Sequence, residues 1–278
     1  MIDTIENPLL SSIIMPGETF RLPSHGLFYT NNELDESVVN GEVEVYPMAA
    51  YDEILMSTPD KLLSGKAVAV VFSRCIPQVN NAFDILAKDV DFLLACLRMV
   101  SFGNQMEVAY KHDCKEAKER TYVINLQQVI NSSKSIDPTT LNDEYKKTLS
   151  NGQTISFKPV TYGEMIKIYE MSMLNKSKIS GDETPEELDI KRTEEALEAE
   201  NIFVETTIMV IKDVDGVSDR THIKGWLRKL KLGWKRDITK AVHQISDWGI
   251  DLRSPQICPD CESTVNLKIS ANPVNFFI

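Results

Sequence analysis

Two thiols on one tight turn, Cys258-Pro259-Asp260-Cys261, constrain the fold of this chain more than any other short stretch. Cysteines at this spacing reach one tetrahedral ion at about 2.3 Å each, and a single pair is half of a zinc site. The segment His112-Asp113-Cys114 offers the other half. Each turn is followed by strand-like alternation, HDCKEAKERTYVINL at 112–126 and CPDCESTVNLKIS at 258–270. Two such knuckle-plus-strand units pairing would form a zinc-ribbon-like module that ties the middle of the chain to its C-terminus. The first unit departs from a complete ribbon: Ala117 stands where a CxxC would place its second cysteine, which leaves His112 as the substitute ligand. The candidate metal ligands are Cys114, Cys258, Cys261 and His112, and zinc is the one cofactor expected.

Two other readings of the same residues stay open. One is a degenerate ribbon that folds without metal. The other is a redox CxxC, which thioredoxin-like chemistry places at a helix N-terminus; here the residues after Cys261 read as a strand. Cys75 and Cys96 lie in apolar helical surroundings and read as packed thiols. Five cysteines, an odd number spread over 278 residues, do not make a disulfide framework.

Charge narrows the partners. Thirty Lys+Arg against 41 Asp+Glu leave a net charge of −11, which opposes non-specific attachment to nucleic acid or an anionic membrane. A membrane span needs about 18 or more apolar residues, and the best candidates, AVAVVF at Ala67–Phe72 and IMVI at Ile208–Ile211, are far too short. The first residues, MIDTIENPLL, carry Asp3 and Glu6 where a secretory signal has Lys or Arg, so a cytosolic protein is expected.

The expected fold class is α+β, with helical layers, small antiparallel β elements and the degenerate ribbon-like module. Five regions follow from the pattern: an N-terminal arm at 1–19, a strand plus helices at 20–104, a β-rich ribbon and hairpin region at 105–160, a helical region at 161–254 with an acidic connector at 176–200, and the knuckle and strand at 255–278. Val43 and Val45 alternate with Glu42 and Glu44 as in a half-buried strand. Thr58-Pro59 opens a helix read as running over Lys61–Ser73. A stronger helix is predicted over Asp89–Val100, closed by Gly103. Asn151-Gly152 reads as a two-residue hairpin turn. Asp213-Val214-Asp215-Gly216 is a turn without the downstream Glu of a calcium loop.

Candidate contact residues fall in two places. The arm carries Leu9, Leu10, Ile13 and Ile14. The stretch Arg220–Leu252 interleaves Trp226, Trp234 and Trp248 with Arg228, Lys229, Lys231, Lys235 and Arg236. Such a segment suits phosphate, an acidic protein face or a membrane surface, the net charge favouring an acidic protein over nucleic acid; it also reads as an amphipathic helical hairpin whose basic side offsets the acidic connector. No P-loop, GxSxG, HExxH or GxGxxG is present, so no enzyme is expected.

Several segments taken together resemble one family. They are LPSHGLFY, GEVEVYPMAAYDEILMSTPDKLLSGKA, CIPQVNN, DVDFLLACLRMVSFG, LSNGQTISFKPVT and WGIDLRSPQICPDCESTVNLKISANPVNFF. This pattern, over about 20–170 and 220–278, is similar to the T4-type baseplate hub assembly proteins of contractile-tailed bacteriophages. The resemblance implies a non-enzymatic assembly factor, chaperone-like, that binds hub or central-spike subunits in the host cytoplasm while the baseplate is built. The alternatives are a structural hub subunit retained in the virion and a zinc-ribbon regulator that binds nucleic acid. The Cys258–Cys261 turn matches the family's knuckle pattern, and no catalytic residue carries over.

Overall fold

The computed structural model describes residues 16–30, 32–114, 118–139, 145–174 and 184–268. The candidate arm residues Leu9, Leu10, Ile13 and Ile14, and also Ala117, lie outside them.

In chain order the elements are β1 (Glu18–Arg21), β2 (Glu42–Val45), α1 (Ala50–Met56), α2 (Pro59–Leu63), α3 (Lys66–Cys75), a 3-10 turn (Ala82–Asp84), α4 (Ala87–Phe102), β3 (Gln105–Lys111), β4 (Glu119–Asn125), α5 (Leu126–Asn131), β5 (Lys146–Thr148) and β6 (Thr154–Phe157). There follow α6 (Tyr162–Leu174), α7 (Pro185–Val210), β7 (Ile211–Val214), α8 (Arg220–Arg228), α9 (Leu232–Ile245), β8 (Arg253–Ile257) and β9 (Thr264–Lys268). All strand pairs are antiparallel: β1 with β2, β3 with β4, β8 with β9, and β5-β6-β7 in one sheet. The protein is α+β, with small antiparallel sheets among helices.

Two compact units share the chain. The first draws on the described stretches up to Asn81, on Asp91–Ser133 and on the stretch from Ile250 onward; the second on Ala82–Val90 and Lys134–Gly249.

In the first unit, α1, α2 and α3 pack on one another. The helix expected over Lys61–Ser73 is two helices. Gly65 takes a left-handed φ of +71° between them, and its N–H bonds back to the Leu62 carbonyl at 2.9 Å, ending α2 before α3 begins. On α3 the buried side chains Ala67, Val68, Val71, Phe72 and Cys75 recur at helical spacing on one face. Leu22, Val43, Val45, Met56, Leu93 and Leu97 are fully buried in the same unit. Gly103, at φ +88°, closes α4 with its N–H on the Met99 carbonyl at 2.8 Å.

Gly41 holds the loop around His25. Its φ is +71°, and a Cβ there would lie 2.7 Å from the His25 carbonyl carbon and 2.9 Å from the Gly26 nitrogen, both of them rigid backbone. Gly41→Ala is therefore expected to destabilise the first unit by about 2 kcal/mol in urea unfolding. A loss below about 0.5 kcal/mol would contradict the close approach.

In the second unit the sheet buries Ile155, Phe157, Ile211 and Val214, while Val204, Leu227 and Ile238 are buried on helices. The hairpin between β5 and β6 differs from the expected two-residue turn. Thr148 pairs with Thr154, and residues 149–153 make the connection, with the Leu149 N–H on the Gln153 carbonyl at 2.8 Å and Gly152 at φ +87°. Asn151 uses its side chain to accept from the Gln153 N–H at 3.1 Å, which stabilises the wider loop.

Candidate metal centre

Two hairpins of the first unit build the site. In the first, β3 and β4 pair over seven positions, from Gln105 opposite Asn125 to Lys111 opposite Glu119. His112 and Cys114 therefore sit just beyond the last rung, and the Cys114 N–H bonds to the His112 carbonyl at 3.0 Å. In the second, β8 and β9 pair from Arg253 opposite Lys268 to Ile257 opposite Thr264. The Cys258–Cys261 turn caps that end. The Cys258 N–H bonds to the Ser263 carbonyl at 2.9 Å, and the Glu262 N–H returns to the Cys258 carbonyl at 2.8 Å with Glu262 at φ +56°.

The ligand atoms of His112, Cys114, Cys258 and Cys261 all lie within 4.8 Å of one another. Cys261 Sγ is 3.4 Å from His112 Nδ1, although the residues are 149 positions apart. Cys258 is buried, His112 and Cys114 are half-buried, and Cys261 is exposed. The Asp260 amide donates to the Cys258 sulfur and, against the opposing effect of burial, brings that thiol down to about 6. His112 and Cys261 help in the same direction. These contacts favour the Cys258 thiolate, the form that binds metals and attacks electrophiles.

Sequence reasoning passed over three supporting residues. Arg120, on β4, grips Asp260 of the knuckle with Nε at 3.0 Å and one terminal nitrogen at 2.5 Å, a bidentate pair across the two hairpins. The pair lowers the Asp260 carboxyl from its usual range, through the Arg120 hydrogen bond above all. Tyr122 is 7% exposed, and its hydroxyl lies beside Cys258; burial first, then Cys258, raises its pKa. The parity of β4 was the available signal, since Arg120 and Tyr122 fall on one face of the strand that follows the first turn.

The basic residues and Trp226 and Trp234 are differently placed, on α8, α9 and their connection in the second unit, with Trp248 just after α9. Trp226 Nε1 donates to Gln153 Oε1 at 3.1 Å, and Trp234 Nε1 to Ser150 Oγ at 2.9 Å, so both indoles bind the β5–β6 loop. Trp248 is buried. Lys235 pairs with Glu200 of α7 and lies 5.4 Å from the centre of the Phe203 ring. Arg228 reaches Asn201 Oδ1 at 3.4 Å, while Lys229 and Arg236 are exposed. Lys235 and Arg228 are thus engaged with α7 of the same unit.

The architecture and the thiol cluster define the chain as an α+β protein in which the β3–β4 and β8–β9 hairpins of the first unit meet at a group of one histidine and three cysteines. Its sequence is matched over residues 36–277 by the family model for the T4 bacteriophage base plate protein, and the chain belongs to that family. Its work lies in the phage tail baseplate, among other baseplate proteins, in the virion or during its assembly. Neither the curated proteins nor the solved structures returned a match. Among the described residues no helix is long and apolar enough to cross a membrane.

Proposed function

We propose that the chain is a non-enzymatic assembly factor of the baseplate hub, which holds hub or central-spike subunits until they join. The family match over residues 36–277 supports the baseplate part of this reading. The packed helices α1 to α3 support it. They leave Tyr51, Ile54, Leu63 and Val70 between 44% and 65% exposed, large apolar side chains of the kind that meet another protein. The net charge of −11 keeps such a protein apart from nucleic acid while it waits for its partner. The nucleic-acid regulator has less to stand on, because Lys235 and Arg228 are turned toward α7.

Quantitative mass spectrometry separates the two baseplate roles. An assembly factor is expected to co-purify with hub intermediates from infected-cell extract and to be missing from finished particles. A fixed number of copies in every purified particle would instead make the chain a structural hub subunit.

A further inference from the structure

We propose that His112, Cys114, Cys258 and Cys261 bind one Zn2+ as a structural clasp between the β3–β4 and β8–β9 hairpins. The inference goes beyond the baseplate reading and does not depend on it.

Chemistry selects the ion. Three sulfurs and one imidazole nitrogen form a soft donor set, which suits Zn2+ over the oxygen-seeking Mg2+ and Ca2+. Distance agrees. With Zn–S bonds of about 2.3 Å, neighbouring sulfurs of a tetrahedral site stand about 3.8 Å apart. The four donor atoms lie within 4.8 Å of one another, so rotamer adjustments of under about an ångström close the tetrahedron. Each hairpin contributes two donors from the turn at one end of its ladder. Four protein ligands fill the coordination sphere, the arrangement of a structural rather than a catalytic zinc.

The surroundings carry what a metal-bound thiolate needs. Backbone amides of Asp260 and Cys261 face the Cys258 sulfur and share its negative charge. The buried Tyr122 hydroxyl beside that sulfur has no hydrogen-bonding oxygen or nitrogen of its own, and a zinc thiolate gives it an acceptor. The bidentate Arg120–Asp260 pair already braces the same two hairpins at residues 140 positions apart. Metal would add a second bond between segments that the chain connects only through a long excursion.

The full chain, purified under reducing conditions and given equimolar ZnCl2, is expected to retain one Zn2+ per chain after gel filtration, measured by inductively coupled plasma mass spectrometry. Stripping with a chelator should lower the melting temperature by about 10 °C, and Zn2+ should restore it. The double variant Cys258→Ser/Cys261→Ser should lose the ion. To keep the test independent of the folding of that variant, the stripped native chain is also loaded with Co2+, whose tetrahedral thiolate charge-transfer band reports sulfur ligation directly. Three results would overturn the clasp: a reduced chain that stays metal-free, zinc retained in full by the double variant, or bound Co2+ without the thiolate band. A metal-free chain that instead forms a Cys258–Cys261 disulfide would favour redox chemistry and would likewise refute it.

Discussion

Phe72→Ala is expected to lower the unfolding free energy of the first unit by about 4 kcal/mol, the largest effect of any single side chain considered. Phe72 is completely buried and belongs to the inner face of α3 with Val68 and Val71. Truncation removes the apolar transfer free energy of a ring and leaves a hole that the surrounding helices fill only in part. Urea denaturation followed by far-UV circular dichroism measures the loss. Val70→Ala on the same helix is the control. Val70 is 44% exposed, so its truncation should stay within about 0.5 kcal/mol. Equal effects at the two positions would mean that α3 does not present the face assigned to it.

The second large effect belongs to Asp52. Its side chain is almost fully buried, with Oδ2 accepting from the Ala49 N–H at 3.0 Å and Oδ1 facing the Arg74 guanidinium at 3.0 Å. The carboxylate therefore does two jobs: it satisfies the amide at the start of α1, and it ties α1 to α3. Arg74 is 45% exposed, so water can replace part of what it would lose. Asp52→Ala is expected to cost about 3 kcal/mol, the sum of a lost cap and a broken half-buried pair. Asp52→Asn keeps an oxygen for the Ala49 amide and should cost about half as much. A cost below about 0.5 kcal/mol for both variants would remove the cap and the ion pair from the list of what holds α1.

The same carboxylate, with burial acting first, keeps a neighbouring thiol inert. Cys75 is buried, and its pKa is pushed up to about 12, through desolvation and then the charge of Asp52, against Arg74. Cys258 lies in the opposite regime, held down by backbone amides. The distinction between packed and chemically competent cysteines was readable in the sequence. Apolar helical neighbours marked Cys75 and Cys96, and the Pro-Asp turn marked Cys258 and Cys261.

Legibility followed the strength of local patterns. Strand β2 shows itself through Val43 and Val45, both fully buried opposite exposed glutamates. The strands β3 and β4 and the helix α4 were visible for the same reason, as alternation and as an apolar helical run, but the strands after the two turns, β4 and β9, pair with β3 and β8 rather than with each other. β1 was hidden because Glu18, Thr19, Phe20 and Arg21 show no clean period; only pairing with β2 orders them. β8 was hidden because Pro255 argues against a strand, yet a two-stranded ribbon is all edge and tolerates it. β7 follows α7 without a break in composition, and its conformation is set by the ladder to β6. The α5 helix starts on the Asn125 side chain, which accepts from the Gln128 N–H at 3.1 Å, a signal too short to stand out beside a strand.

The site was legible in its donors and not in its frame. Cysteine and histidine announce their chemistry wherever they stand. Arg120 and Asp260 are charged residues of the sort found on any solvated strand or turn, and only the juxtaposition of distant segments turns them into a brace. For the basic cluster, sequence supplied the charges and the indoles but not their occupants. Glu200 and Asn201 lie on a helix whose composition by itself looks solvated.

Translation order gives the interleaved units a consequence. Residues 134–249 of the second unit leave the ribosome before the final stretch of the first, whose knuckle must then return to His112 and Cys114. The inserted unit can acquire its shape while the earlier one still waits for its closing piece. During that interval the first unit lacks its β8–β9 hairpin, and the arrival of that hairpin brings Cys258 and Cys261 to His112 and Cys114.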